Sequence, residues 1–132
     1  MKATLLFEDG TIFTGENFGY TGEVCGEIVF YTGVVGYQEV ITDPAYRGKI
    51  VLMTYPLIGN YGVNPEGLES PNAQASAIVV KEISRMYSNW LATGSLEEYM
   101  QQQKVPGLKG IDTRAAAIHI RDHGEQKAIL ST

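Results

Sequence analysis

The sequence predicts a single domain that combines strands and helices, either of the α+β kind or of the layered β/β/α kind. Its 132 residues are one domain's worth of chain. Strand-like segments come first, and the two clearest helix signals come late. The two element types do not alternate throughout, so a regular β/α repeat is not expected.

The first part of the chain predicts a hairpin. Residues 2–8 and 11–14 are β-type runs, and Asp9-Gly10 between them suits a tight turn. Asn17-Phe18-Gly19 and Thr21-Gly22 then indicate a loop.

The segment 26–46 predicts a strand, a glycine corner and a short helix. Residues 28–31 are β-branched or aromatic, which favours a buried strand. Gly33 and Gly36 break the extended pattern, which implies close approach of the backbone to a ligand or to protein. Positions 34, 37 and 41 fall on one helical face, and Pro44 ends the helix.

The middle of the chain predicts two more strands. Residues 50–55 form a continuous apolar run, as expected for an internal strand covered on both faces, and residues 73–80 end in a second apolar run. Turn signals fill residues 57–67, and residues 84–93 give no clear element.

Two helices and a closing strand are predicted near the end. Ser95 and Glu98 have the spacing of a capping box, so a helix should run to about Lys104. Gly107 and Gly110 then indicate a turn. A second helix should begin after Asp112 as its cap and end at Gly124, with positions 116, 117 and 120 on one face; residues 127–130 form the closing strand.

Composition excludes several classes of function. The formal net charge is −5 and no run of Lys and Arg forms a basic face, which argues against a nucleic-acid binder. No apolar run is long enough for a membrane span, and no signal peptide opens the sequence. The single cysteine cannot form an internal disulfide. We therefore expect a cytoplasmic protein.

Cys25 and the histidines are the first candidates for chemistry. A nucleophilic cysteine needs an adjacent base, but the neighbours of Cys25 are Glu23 and Glu27, so a buried or structural thiol is the preferred interpretation. His119 and His123 are four residues apart on a predicted helix and could bind zinc. Only Asp122 and Glu125 lie nearby as further ligands, so a surface pair without metal is preferred.

Carboxylates and glycines are weaker candidates. Gly33, Gly36 and Gly59 are corners that could cradle a ligand, but plain turns are the preferred interpretation. Glu27, Glu39 and Asp43 could act as acids or bases, but Glu39 and Asp43 are explained equally well as the solvated edge of a short helix. Asp112 is better explained as a helix cap. No phosphate-binding loop or dinucleotide fingerprint is present. The residues alone thus indicate a globular domain without a catalytic set.

Several motifs, in order, carry a resemblance to a known family. They are Gly-Glu-Ile-Val-Phe-Tyr-Thr-Gly from residue 26, Gly-Tyr-Gln-Glu from 36, Thr-Asp-Pro-Ala-Tyr from 42, Thr-Tyr-Pro-Leu-Ile-Gly-Asn-Tyr-Gly from 54, Ser-Asn-Trp from 88, Ser-Leu-Glu-Glu-Tyr from 95 and Gly-Ile-Asp-Thr-Arg from 110. Together they resemble the N-terminal domain of the small, glutamine-hydrolysing subunit of carbamoyl phosphate synthetase, over nearly the whole chain.

The resemblance implies an α/β fold, a three-layer β/β/α domain of the swivelling type, over residues 1–132. It implies that this domain packs against a downstream glutamine amidotransferase domain and helps to dock the large synthetase subunit. The catalytic thiol belongs to that downstream domain, so no catalytic residue and no metal site are expected here, and Cys25 is not the nucleophile. ATP and Mg²⁺ are expected on the large subunit, which makes carbamoyl phosphate for arginine or pyrimidine synthesis.

One site residue follows from the resemblance. The family motif Thr-Asp-Pro-Ser-Tyr places its serine near bound glutamine, and that position here is Ala45. Without the hydroxyl, a contact with glutamine would use the backbone of Ala45, Pro44 or Tyr46. Two alternatives stay open: a free-standing interaction module without an amidotransferase domain, and a thiol or metal hydrolase in its own right.

Overall fold

The computed structural model describes residues 2–31, 37–54, 73–81, 96–124 and 126–132. The described strands are β1 Lys2–Phe7, β2 Ile12–Gly19, β3 Glu23–Tyr31, β4 Ile50–Met53, β5 Ala77–Val79, β6 Pro106–Lys109 and β7 Gln126–Ser131. The described helices are α1 Tyr37–Thr42, α2 Leu96–Gln102 and α3 Thr113–His123, and a 3₁₀ turn spans Pro44–Tyr46.

The described strands close into one barrel in the order β1-β2-β6-β5-β4-β3-β7. The β3/β4, β4/β5 and β5/β6 pairs are parallel, and the pairs that involve β1, β2 or β7 are antiparallel. Val51 of β4, for example, lies opposite Val29 on one side and Ile78 on the other. The described part of the domain is mixed and rich in sheet, with few helices. The three-layer packing implied by the resemblance stays a prediction.

Strand β4 is buried on both faces, which confirms the prediction of an internal strand. Ile50 and Leu52 belong to one core cluster, whereas Val51 and Met53 belong to another. The first cluster lies between β1, β3 to β7 and the buried face of α3, which includes Ala116. The second is built on the opposite side of β4 and takes in residues of α1 and α2.

The predicted caps of α3 are confirmed. Asp112 Oδ1 accepts a hydrogen bond from the backbone nitrogen of Ala115 at 3.0 Å. Gly124 ends the helix with a positive φ of 76°, and its N–H donates to the carbonyl of Ile120 at 2.9 Å. The predicted Asp9-Gly10 hairpin turn is also confirmed, because Gly10 N–H donates to Phe7 O at 2.9 Å.

Two predictions near Phe18 and Gly107 are wrong. The predicted loop at 17–19 is the end of β2, and the predicted turn at Gly107 lies within β6. The two strands pair, with Phe18 opposite Gly107. A β-carbon on Gly107 would lie 2.6 Å from the Phe18 ring, so this glycine makes room for an aromatic side chain rather than for a turn.

The end of α2 also differs from the prediction. The helix ends at Gln102, two residues before Lys104, which has a positive φ of 59°. The chain then turns back, and Val105 N–H donates to Met100 O at 2.8 Å. The predictions for Gly33, Gly36 and Ser95, and for residues 57–67 and 84–93, lie outside the described residues.

Candidate functional site

The turn that carries Ala45 is built by the residue before the proline. Asp43 is the N-cap of the 3₁₀ turn, and its Oδ1 accepts a hydrogen bond from Ala45 N at 2.9 Å. Tyr46 N–H donates to Asp43 O at 3.0 Å, and Arg47 N–H donates to Pro44 O at 3.2 Å. Proline fixes the first residue of the turn, and aspartate closes it, so the local sequence is sufficient to specify this geometry.

Ala45 itself is exposed at the outside of this turn. Its N–H is already engaged by the Asp43 carboxylate, so a ligand would meet the methyl group and the carbonyl oxygen of Ala45 instead. Pro44 has no N–H to offer. The backbone of residues 44–46 therefore has no free N–H group to donate to a ligand among the contacts considered from the sequence, because the N–H groups of Ala45 and Tyr46 both donate to Asp43.

The turn is attached to the sheet through an aromatic pair. The rings of Tyr31 on β3 and Tyr46 meet edge to face, with centroids 6.4 Å apart and planes at 82°. Burial raises the pKa of the Tyr46 phenol, and the nearby Tyr31 and Asp43 raise it further. Tyr46 thus stays neutral at physiological pH and acts as a packing group.

The other carboxylates predicted as candidates have structural partners where they are described. Glu27 lies 3.4 Å from Lys49 in a partly exposed ion pair. Asp43 and Asp112 accept backbone hydrogen bonds as caps. The side chain of Glu39 lies outside the described residues. Among these described carboxylates, none is paired with a nucleophile.

Cys25 is exposed, so burial, one of the two parts of the prediction of a buried or structural thiol, is wrong. It lies on β3 opposite Ile129 of β7, at a position where the strand alternates between exposed and partly buried residues. Its neighbour Val24 is the residue that packs against the core. The sequence does not reveal this, because a short strand buried on one side exposes every second residue whatever its hydrophobicity.

The two histidines have a partner that the sequence did not indicate. His119 Nε2 lies 2.7 Å from Oδ2 of Asp9, in the β1–β2 turn, 110 residues away in the chain. The His119 and His123 rings are 4.3 Å apart. Of the ligands considered from the sequence, Asp122 instead accepts from Arg121 Nε at 3.3 Å, and Glu125 lies outside the described residues.

The sequence also did not predict a surface groove between β3 and α3. It has a volume of about 370 Å³, and its lining is Phe30, Thr54, Arg114, Ala117, Ile118 and Arg121. Phe30 and Ile118 are 38% and 41% exposed, which is unusual for two adjoining large apolar side chains. Positions 114, 118 and 121 have helical spacing on the face of α3 away from the core. That spacing is the one feature of the sequence from which this shared face could have been predicted.

Comparison with known proteins decides the family. The model for the carbamoyl-phosphate synthase small chain, CPSase domain, matches residues 5–130. The chain belongs to the carbamoyl-phosphate synthase small chain family. Carbamoyl phosphate synthase small chains of Syntrophotalea carbinolica and Akkermansia muciniphila are each 54% identical to it over 132 residues, the whole of this chain.

The chain spans only about a third of these family members, 35% and 36% of their lengths, and corresponds to their N-terminal part. A solved aminopeptidase from Aneurinibacillus sp. strain AM-1 aligns with 98% of this chain and 30% of its own, at a TM-score of 0.49 and 17% identity. That likeness is too low to bear on fold or function. Within the described residues, no helix is both long and apolar enough to cross a bilayer.

Proposed function

We propose that this chain is the structural and docking domain of a glutamine-dependent carbamoyl phosphate synthetase small subunit. The observation that carries the proposal is the match to the small-chain family over residues 5–130, with 54% identity to relatives over the full 132 residues. The relatives are about three times longer, which leaves room for a second domain.

The proposed division of labour places bond cleavage outside this chain. An amidotransferase domain in the longer protein hydrolyses glutamine with its own cysteine, and ammonia then passes to the large subunit. There it reacts with bicarbonate at the expense of ATP, with Mg²⁺, to give carbamoyl phosphate. Free ammonia at neutral pH would be protonated and lost to water, so the domains along the route must exclude solvent. Asp43 caps the turn of Ala45 and Glu27 pairs with Lys49, which fits a domain that leaves bond cleavage to its neighbour.

Ala45 is the proposed contact with glutamine. It lies on an exposed, well-braced turn, as a residue at the junction with a second domain would. Because its N–H is engaged by Asp43, we expect van der Waals contact or acceptance by its carbonyl rather than donation to the substrate. In this arrangement the contact does not use the hydroxyl that the family motif places at position 45.

The proposed docking face for the large subunit is the groove between β3 and α3. Its two exposed apolar side chains, Phe30 and Ile118, provide the kind of centre that protein interfaces bury, and Arg114 and Arg121 beside them suit carboxylates on a partner. The three-layer swivelling fold and a cytoplasmic location complete the proposal.

Co-purification tests this function. The full-length small subunit should co-elute with a large synthetase subunit, and the complex should hydrolyse ATP faster when glutamine is added. A small subunit that binds no large subunit and leaves ATP hydrolysis independent of glutamine would contradict the proposal. A reading frame that stops at Thr132 would instead favour the free-standing interaction module.

A further inference from the structure

Three potential metal ligands converge at the end of the barrel where α3 meets the β1–β2 turn. Asp9 comes from the turn, and His119 and His123 come from the last turns of the helix. One ligand atom from each of the three lies within 4.8 Å of the others. The histidine spacing is visible in the sequence, but the fold supplies the third ligand.

The hydrogen bond of the His123 ring fixes the tautomer that can bind a cation. Its Nδ1 lies 2.9 Å from the carbonyl oxygen of His119. A carbonyl oxygen can only accept, so Nδ1 carries the hydrogen and Nε2 of the neutral ring keeps its lone pair. Histidines that bind metals commonly donate their second ring nitrogen to a backbone carbonyl in this way, which fixes the tautomer.

Asp9 and His119 are held from their other sides. Asp9 Oδ1 accepts from Thr11 N at 3.0 Å, which leaves Oδ2 directed at His119. The His119 ring packs edge to face on Phe7, with centroids 4.9 Å apart and planes at 83°. Both side chains thus occupy defined positions before any ligand arrives, which lowers the entropic cost of binding.

The spacing fits a small cation after modest adjustment. Two ligands on one tetrahedral zinc, at about 2.0–2.2 Å from the metal, lie roughly 3.3–3.6 Å apart. The 2.7 Å contact between Asp9 and His119 must therefore widen, and His123 must move inward. The side chains of His119 and Asp9 are 15% and 34% exposed, so a water molecule has access to a fourth position.

We propose that Asp9, His119 and His123 form a binding site for one divalent transition-metal cation of the zinc class. Two imidazoles and one carboxylate suit Zn²⁺ and Co²⁺, whereas Mg²⁺ and Ca²⁺ prefer oxygen ligands alone. The cation replaces the proton that His119 Nε2 shares with Asp9, and that proton moves to His119 Nδ1 or to solvent. Bound there, it ties the end of α3 to the β1–β2 turn and stabilises the fold.

Metal titration of the untagged, full-length protein tests the site. Zn²⁺ binding is followed by calorimetry, and Co²⁺ binding by its visible d–d absorption, whose intensity reports a four- or five-coordinate site. We expect one equivalent to bind with saturation and to raise the melting temperature. The variants Asp9→Asn, His119→Gln and His123→Gln should each lower affinity at least about tenfold, because even losses in the second shell of a metal site cost that much.

Asp122→Asn is the matched control, since Asp122 is an exposed carboxylate on the same helix that pairs with Arg121. It should bind Zn²⁺ as the wild type does. Asp9→Asn and His123→Gln change exposed side chains, so at least two variants should fold normally. The proposal is overturned if no saturable binding occurs, or if the three ligand variants and Asp122→Asn bind with equal affinity.

Discussion

Gly26 approaches Gly48 so closely that no side chain fits between them. A β-carbon on Gly26 would lie 2.5 Å from the carbonyl oxygen of Gly48, a backbone atom that cannot rotate away. Gly26 lies in β3, and Gly48 follows the 3₁₀ turn that carries Ala45. Gly48 N–H also donates to Gln74 O at 3.1 Å. The approach therefore fixes the candidate substrate turn against the sheet.

Gly26→Ala should destabilise the protein because the backbone must shift to admit the methyl group. We expect a loss of about 1–3 kcal/mol in the free energy of unfolding, as for overpacked sites, measured by urea denaturation. Cys25→Ala is the control, since the thiol on the neighbouring residue is exposed and its loss should cost less than about 1 kcal/mol. Equal stability of Gly26→Ala and wild type would show that the close approach is not a constraint.

Tyr99→Phe should stabilise the protein. The Tyr99 hydroxyl is buried and has no hydrogen-bond partner among the described residues, so its removal should gain up to about 1 kcal/mol. Burial also raises the pKa of this phenol in the folded state above its ordinary value of 10.0. Above that pH the unfolded chain loses its proton first, so wild-type stability falls as pH rises, and the advantage of Tyr99→Phe should grow.

Denaturation of both proteins at neutral and alkaline pH measures this effect. Tyr20→Phe is the control, because Tyr20 is 37% exposed, and its stability should follow the wild type. A Tyr99→Phe variant that is less stable than the wild type at neutral pH would mean that the hydroxyl makes a favourable interaction.

Ile118→Asp should weaken docking of the large subunit. A carboxylate in the lining of the groove removes apolar contact and is costly to bury, so the dissociation constant should rise at least about tenfold. Ile12→Asp is the control, because Ile12 is 59% exposed on β2, a strand that does not line the groove. The measurement is surface plasmon resonance with the immobilised large subunit.

The pattern of losses identifies the occupant of the groove. Unchanged large-subunit binding together with a lower melting temperature of the full-length Ile118→Asp subunit would assign the groove to the amidotransferase domain. Unchanged binding and unchanged stability would show that neither the large subunit nor the amidotransferase domain covers the groove.

Ala45→Ser should alter the KM for glutamine by less than about tenfold, because one neutral hydrogen bond is worth roughly 1 kcal/mol. Asp43→Ala should change the KM more, since it removes the carboxylate that holds Ala45 N–H and so loosens the turn. Steady-state glutaminase kinetics of the full-length subunit measure both. A change in KM above tenfold for Ala45→Ser, or a larger effect of Ala45→Ser than of Asp43→Ala, would contradict a contact that does not depend on a hydroxyl at position 45.

The features that the sequence predicted correctly depend on local chemistry. Asp112 caps α3 and Asp9-Gly10 turns the first hairpin because each needs only residues two or three positions away. The missed features depend on distant partners. Gly107 is typical of a turn in the sequence, and its role is explained only by the Phe18 ring that packs against it in the fold. Asp9 contacts His119 only because the fold brings the β1–β2 turn next to α3.

The candidate site divides in the same way. The Asp-Pro-Ala-Tyr sequence specifies the turn around Ala45, but its attachment through Tyr31 and Gly26 is a property of the tertiary structure. The prediction for the burial of Cys25 is wrong because it rests on the general tendency of free cysteines to be buried. The register of β3 against β7 determines which face of the sheet the thiol lies on.

Glutamine-dependent synthesis of carbamoyl phosphate by the complex that carries Cys25→Ala tests the central claim most directly. Cys25 is the one thiol in this chain, and in the proposed function the reacting thiol belongs to another domain. The variant complex should therefore match the wild type in glutamine hydrolysis and in product formed. Loss of glutamine-dependent activity, with ammonia-dependent activity retained, would contradict the account.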